Sequence, residues 1–159
     1  MDTVCKLIAC AFGQFAAYCY FSRRFETKCP IVAVCGFFVA AAAVQFAVSF
    51  AGLAVLNIAL LFISNLCAAL IIYRAGIKQT LIHCLLLEVL AAMSAFIIMF
   101  GLSKIIGHEP PGNGMILLGI SSSALYFTFS YAVSRHKDDM IVYSVLVSML
   151  SLVCAAMIA

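Results

Sequence analysis

Apolar residues run in long blocks along this chain, broken at few places by charge, and the blocks have the length of spanning helices rather than the alternation of strands. The first extends from Thr3 to Ser22, interrupted only by Lys6 and Gln14, and is followed by Arg23, Arg24 and Lys28. Between Ile31 and Tyr73 no residue is charged. At about 1.5 Å per residue that stretch is roughly 65 Å long, enough for two crossings of a hydrocarbon core about 30 Å thick. It predicts a helical hairpin turning near Ser49, Phe50, Ala51 and Gly52, where a flexible residue meets the end of the Ala43, Ala47, Ala51 stripe. Arg74 and Lys78 precede a block from Gln79, which Lys104 and the run Gly107 to Gly114 close. Pro110, Pro111 and the glycines of that run cannot continue a helix. A fifth block, Met115 to Val133, and a sixth, Met140 to Ala159, flank the polar segment Ser134 to Asp139. The expected elements are spanning helices at about 3–22, 31–49, 53–73, 79–104, 115–133 and 140–159, in a single domain covering 1–159. The fold class is all-α: a polytopic integral membrane protein built as a six-helix transmembrane bundle.

Composition agrees and narrows the function classes. Of 159 residues 67% are apolar and 9% charged, whereas a soluble domain carries about 25% charged residues. No room remains for a soluble kinase, nuclease or hydrolase domain. The basic residues alternate by loop: Arg23, Arg24, Lys28, Arg74, Lys78, Arg135 and Lys137 fall on one side, Lys6 and Lys104 on the other. The positive-inside rule makes the first side cytoplasmic. The chain is therefore expected to be multi-pass in the cell membrane, with the lipid bilayer as its first partner and an extracellular N-terminus. The positive charge after the first block, not before it, marks a retained anchor instead of a signal peptide. Scattered among loops, these residues form no patch of the kind nucleic acid or anionic lipid requires, and no nucleic-acid partner is expected. Ending in an apolar block at Ala159 without a polar or aromatic anchor, the pattern is that of a truncated chain.

Within the spans few side chains offer chemistry. Glu88 is the single acid inside a block, about ten residues into the fourth helix and so roughly 15 Å deep. An ionisable group there is costly unless paired, protonated or wetted, which makes it a proton, ion or ligand contact or a neutral acid hydrogen-bonded to Asn57, Asn65 or a serine. Glu88, Asn57 and Asn65 are the candidate ligand-binding residues. His83 is expected to snorkel to the interface, since it has no partner at metal-ligand spacing. Ala9, Gly13 and Ala17 offer a small face for close helix approach, and Asn57 with Ser64, like Ser144 with Ser148, is placed to hydrogen-bond between helices. The 8 cysteines show no CxxC pair and read as small hydrophobes, Cys29 being the candidate for modification. No nucleophile, base and orienting acid assemble, so the expectation is no enzyme, no metal and no cofactor.

From Leu56 onward the chain resembles the membrane sensor region of receptor histidine kinases with GHKL-type ATPase domains, relatives of the accessory gene regulator receptors that detect secreted peptides. The resemblance rests on Leu56-Asn57-Ile58 entering the third helix and on the basic Arg74 to Lys78 turn running into Thr80 to Leu87. The basic turn at Arg135 to Lys137 and Ser144 to Ser151 add to it. It implies signal sensing in a two-component, quorum-sensing system, an extracellular peptide ligand meeting the outer loop Lys104 to Asn113, and a homodimer. Two departures stand out: the family's glutamate sits further along the fourth helix, near Ser94, and its kinase domain is absent. The alternative is a small transporter or transporter subunit with Glu88 in an intramembrane path, although the halves show no inverted repeat.

Overall fold

The computed structural model describes residues 2–52, 54–106, 112–135, 140, 142–145, 147–148 and 151. Five helices carry most of them: α1 (Asp2–Arg24), α2 (Ile31–Ser49), α3 (Ala54–Ile71), α4 (Ile77–Ile106) and α5 (Gly112–Ser134). Residues 140, 142–145, 147–148 and 151 are helical as well. The described residues are helical throughout these elements, and α1, α2 and α3 end near the expected interruptions. α4, however, runs through Lys78 and Lys104, and α5 begins at Gly112, so Gly112 and Gly114, expected in the loop, are helical, each costing the helix less than its hydrogen bonds return. Among the described residues, α2 and the Ile77–Gly101 part of α4 are long and apolar enough to cross a membrane, and Val55–Ile71 is apolar but shorter. Pro110 and Pro111, the segment His136 to Asp139 and the C-terminal residues beyond Ser151 lie outside the described residues.

The local signals act as expected at both ends of α2. Pro30 stands at its N-cap with extended backbone, and its carbonyl accepts the N–H groups of Ala33 and Val34. At the other end Ser49 donates its hydroxyl to the Phe46 carbonyl at 2.6 Å, and the chain turns through Phe50 and Ala51 to Gly52. Gly52 sits at φ +70°, in the left-handed region where a side chain is costly.

Packing closes a circuit: α1 lies on α2, α2 on α3, α3 on α4, α4 on α5, and α5 returns to α1. Fully buried Ala16, Ala17, Tyr20 and Phe21 of α1 share a core with Ala68 and Ala69 of α3, with Tyr73, and with Cys84, Leu86, Leu87 and Leu90 of α4. Ala16 and Ala17 are where α1 is approached closely. Gly13 is not such a place, since a Cβ added there would meet nothing within 4 Å. The expected Ala9, Gly13, Ala17 contact face is thus rotated onto Ala16 and Ala17. Large apolar side chains such as Val32, Val39, Val55, Ile71 and Phe100 stand exposed on the outside.

The α1–α2 and α3–α4 connections meet at one end of the bundle. Thr27 and Tyr73 form an isolated antiparallel bridge: Lys28 N–H donates to the Ile72 carbonyl at 2.7 Å and Arg74 N–H to the Glu26 carbonyl at 2.8 Å. This backbone clasp gathers Arg23, Arg24, Lys28 and Arg74 at the same end. Arg135 joins them, because its guanidinium and that of Arg23 both lie over the Tyr131 ring, at 6.0 and 4.1 Å from its centre. Lys6 is at the opposite end, donating to the Ser49 carbonyl at 3.4 Å beside the Phe50 ring.

Candidate functional site

Polar side chains on α1 reach every other helix. Buried Gln14 donates through Nε2 to Gln45 Oε1 of α2 at 3.1 Å and to Ser64 Oγ of α3 at 3.2 Å. Two turns on, Tyr20 Oη and His83 Nδ1 of α4 share a hydrogen bond of 2.5 Å, with Phe25 packed edge-on against the imidazole. Ser22 and Tyr73 share another at 2.7 Å, and Arg23 donates to Tyr131 Oη of α5 at 3.1 Å. A lone polar group in an apolar bundle gains from an interhelical partner, on average about 0.6 kcal/mol per bond, and α1 collects several.

His83 therefore does not snorkel. It is 2% exposed, held inside the bundle because the Tyr20 hydroxyl and the rings of Tyr20 and Phe25 give it a polar partner and an apolar sheath. Most of the hydroxyls bond locally. Ser94, Ser122, Ser123, Thr128, Ser130, Ser134 and Ser151 donate to carbonyls three or four residues back on their own helices. Short hydroxyl side chains find that local acceptor before they reach a neighbouring helix. Ser144 and Ser148 are exposed, so that pair does not bridge the described helices, whereas Ser64 does serve between helices.

The three candidate residues occupy α3 and α4 without touching one another through hydrogen bonds. Asn65 is fully buried, and neither its Oδ1 nor its Nδ2 has a partner. Asn57 Oδ1 and Glu88 Oε1 are likewise buried and unpartnered. From the α3–α4 connection, helical rise puts Asn65 about 9 Å, Glu88 about 16 Å and Asn57 about 21 Å along the bundle. The hydrogen bond that would hold a neutral Glu88 to Asn57, Asn65 or a serine is not formed. Instead, Glu88 lies within electrostatic reach of the Tyr126 hydroxyl of α5 and of Cys84. Tyr126 is itself buried with its hydroxyl unpartnered. Unpaired polar atoms at such depth are costly, and Asn65, Glu88 and Tyr126 each contribute one or more of them, on α3, α4 and α5.

A second site lies at the basic end. Ser22, Arg23, Arg24, Phe25, Glu26, Thr27, Arg74 and Gln79 surround an open cleft of about 830 Å³. An ion pair of 3.9 Å between Arg74 and Glu26, both well exposed, crosses it. Among the described residues no group of three or more His, Cys, Asp or Glu is placed to hold a metal ion. Tyr126, Tyr20, Gln45 and the basic cleft escaped the sequence reading. Gln14 and Gln45 had a usable signal, each being an isolated amide in an apolar block. The tyrosines had none, since their role depends on which helix faces them. No protein-family model, characterised protein or solved structure matches the chain.

Proposed function

We propose that the chain is a multi-pass membrane sensor module, crossing the bilayer six times with its basic end cytoplasmic and its N-terminus outside. Its role is that of the sensing region of a GHKL-type receptor histidine kinase, working as a homodimer and responding to an extracellular peptide. The observation that carries the reading is that Asn65, Glu88 and Tyr126, on three different helices, have buried polar atoms without partners. A bundle with unpaired groups at its centre gains free energy from any repacking that pairs them, and a ligand that favours one packing shifts the balance by its difference in affinity. The clasp between Thr27 and Tyr73 then carries a change in helix packing to the cytoplasmic end, where a kinase domain would read it.

Glu88 favours a second reading, a small transporter in which its half-buried carboxyl lines a path. One experiment separates the two. The chain in proteoliposomes is given the peptide fraction of the source organism's culture medium and is assayed for thermal unfolding and for peptide uptake, as wild type and as Glu88→Gln. Sensing requires a shifted unfolding midpoint without accumulation inside the vesicles. Uptake that Glu88→Gln abolishes establishes transport, and no shift and no uptake in the wild type overturns both. An N-terminal tag that stays protected from protease in intact cells refutes the orientation.

A further inference from the structure

The basic residues that stand far apart in the sequence do not stay apart in the fold. Arg23 and Arg24 end α1, Arg74 follows α3, and the backbone clasp of Thr27 with Tyr73 brings them to one cleft of about 830 Å³. Arg23 is fixed by its hydrogen bond and ring contact with Tyr131, so its guanidinium is pre-organised. The N-terminus of α4, a long helix, also reaches the cleft through Gln79, adding the positive end of its dipole. Among the described residues that line the cleft, three are arginines and one, Glu26, is a carboxylate, which meets Arg74 at 3.9 Å. That distance is long for a hydrogen-bonded pair, and an exposed pair of this kind contributes little to stability. Glu26 is therefore a weak occupant that a better anion displaces.

We propose that this cleft is a binding site for a phosphate oxyanion, supplied by the headgroup of an anionic phospholipid or by a soluble phosphate. Guanidinium forks match phosphate in shape and charge, and they are less strongly hydrated than ammonium groups. In the membrane orientation proposed above, the cleft lies at the cytoplasmic interface, where anionic headgroups gather beside juxtamembrane basic residues. The site rests on that orientation only for its lipid source. Its chemistry stands on the arginines.

The full chain, purified in an uncharged detergent, is titrated with dioleoyl phosphatidylglycerol, with dioleoyl phosphatidylcholine and with inorganic phosphate. Binding is read by native mass spectrometry and by the thermal unfolding midpoint. Phosphatidylglycerol is expected to bind about tenfold more tightly than phosphatidylcholine, and Arg74→Gln to lose about tenfold in affinity, the usual worth of one charged hydrogen-bonding group. Arg74→Lys keeps the charge without the fork and should fall between. Lys78→Gln and Lys6→Gln remove the same charge outside the cleft and should leave binding unchanged. Glu26→Gln should tighten binding, a gain that no folding defect imitates.

Competition by millimolar phosphate identifies the soluble source, and lipid binding without competition identifies the headgroup. If Arg74→Gln and Lys78→Gln weaken binding equally, or Glu26→Gln does not strengthen it, the site is overturned. If phosphate binds in an Arg74-dependent way while the lipid has no effect, the site stands and its membrane setting fails. If neither binds, the site falls and the membrane orientation is untouched.

Discussion

The Tyr20–His83 hydrogen bond offers a sharp test of the packing at the basic end. Tyr20 is fully buried and His83 is 2% exposed, so neither can replace the other by water. Tyr20→Phe leaves the His83 Nδ1 without this partner, and a buried group so deprived costs about 1–3 kcal/mol. His83→Phe keeps an aromatic ring against Phe25 and takes this partner from the Tyr20 hydroxyl at a comparable cost. The double substitution removes both polar groups and fills the space with rings, which is nearly neutral when shape is kept. The double variant should therefore be more stable than either single one, with a coupling of about 1 kcal/mol, within the range measured for interhelical bonds in membranes. Reversible unfolding in mixed micelles, followed by circular dichroism, measures the cycle. Additive destabilisation, with the double variant the least stable of the four, would refute the bond.

Two glycines should respond in opposite directions to alanine. Gly13→Ala, inside α1 with open space around its Cβ position, should stabilise by about 0.5–1 kcal/mol. Gly52→Ala, at φ +70° and also uncrowded, should destabilise by about 1 kcal/mol through backbone strain alone; both are read by the same unfolding assay. Ala17→Leu adds three carbons at a fully buried position and should cost about 1–3 kcal/mol, seen as a lower thermal midpoint. Asn65→Leu removes two unpartnered polar atoms while keeping the number of side-chain heavy atoms, and should raise that midpoint; a fall would mean that Asn65 has a partner in the folded protein.

Helix positions were legible because what sets them is local. Pro30, Gly52 and the charges at Arg23, Arg24 and Arg74 interrupt apolar blocks, and each interruption coincides with a helix end or a turn. The sidedness of the basic residues was legible for the same reason, since antiparallel neighbours alternate ends. What faces what was not. Helices such as α2 are apolar on all sides, so periodicity singles out no buried face. That is why Gly13 looked like a contact and Ala16 did not. His83 was placed at the interface because its partner, Tyr20, lies far off in the chain. The candidates Asn57, Asn65 and Glu88 were recognised as unusual from their setting alone, but pairing depends on geometry. The structure leaves Asn65 and the buried oxygens of Asn57 and Glu88 unpaired, with Tyr126 within electrostatic reach of Glu88. Arg23, Arg24 and Arg74 counted as scattered until the clasp brought their loops together.

The reach of α1 has a consequence for how the protein is made. Its polar groups find their partners 31 residues later at Gln45, 50 later at Ser64, 63 later at His83 and 108 later at Tyr131. A ribosome adding about 5–20 residues per second delivers Tyr131 roughly 5–20 s after Arg23. Of the described helices α1 leaves the ribosome before the others, yet its hydrogen bonds wait on α5, and for those seconds Gln14, Tyr20 and Arg23 depend on surrounding molecules to solvate them.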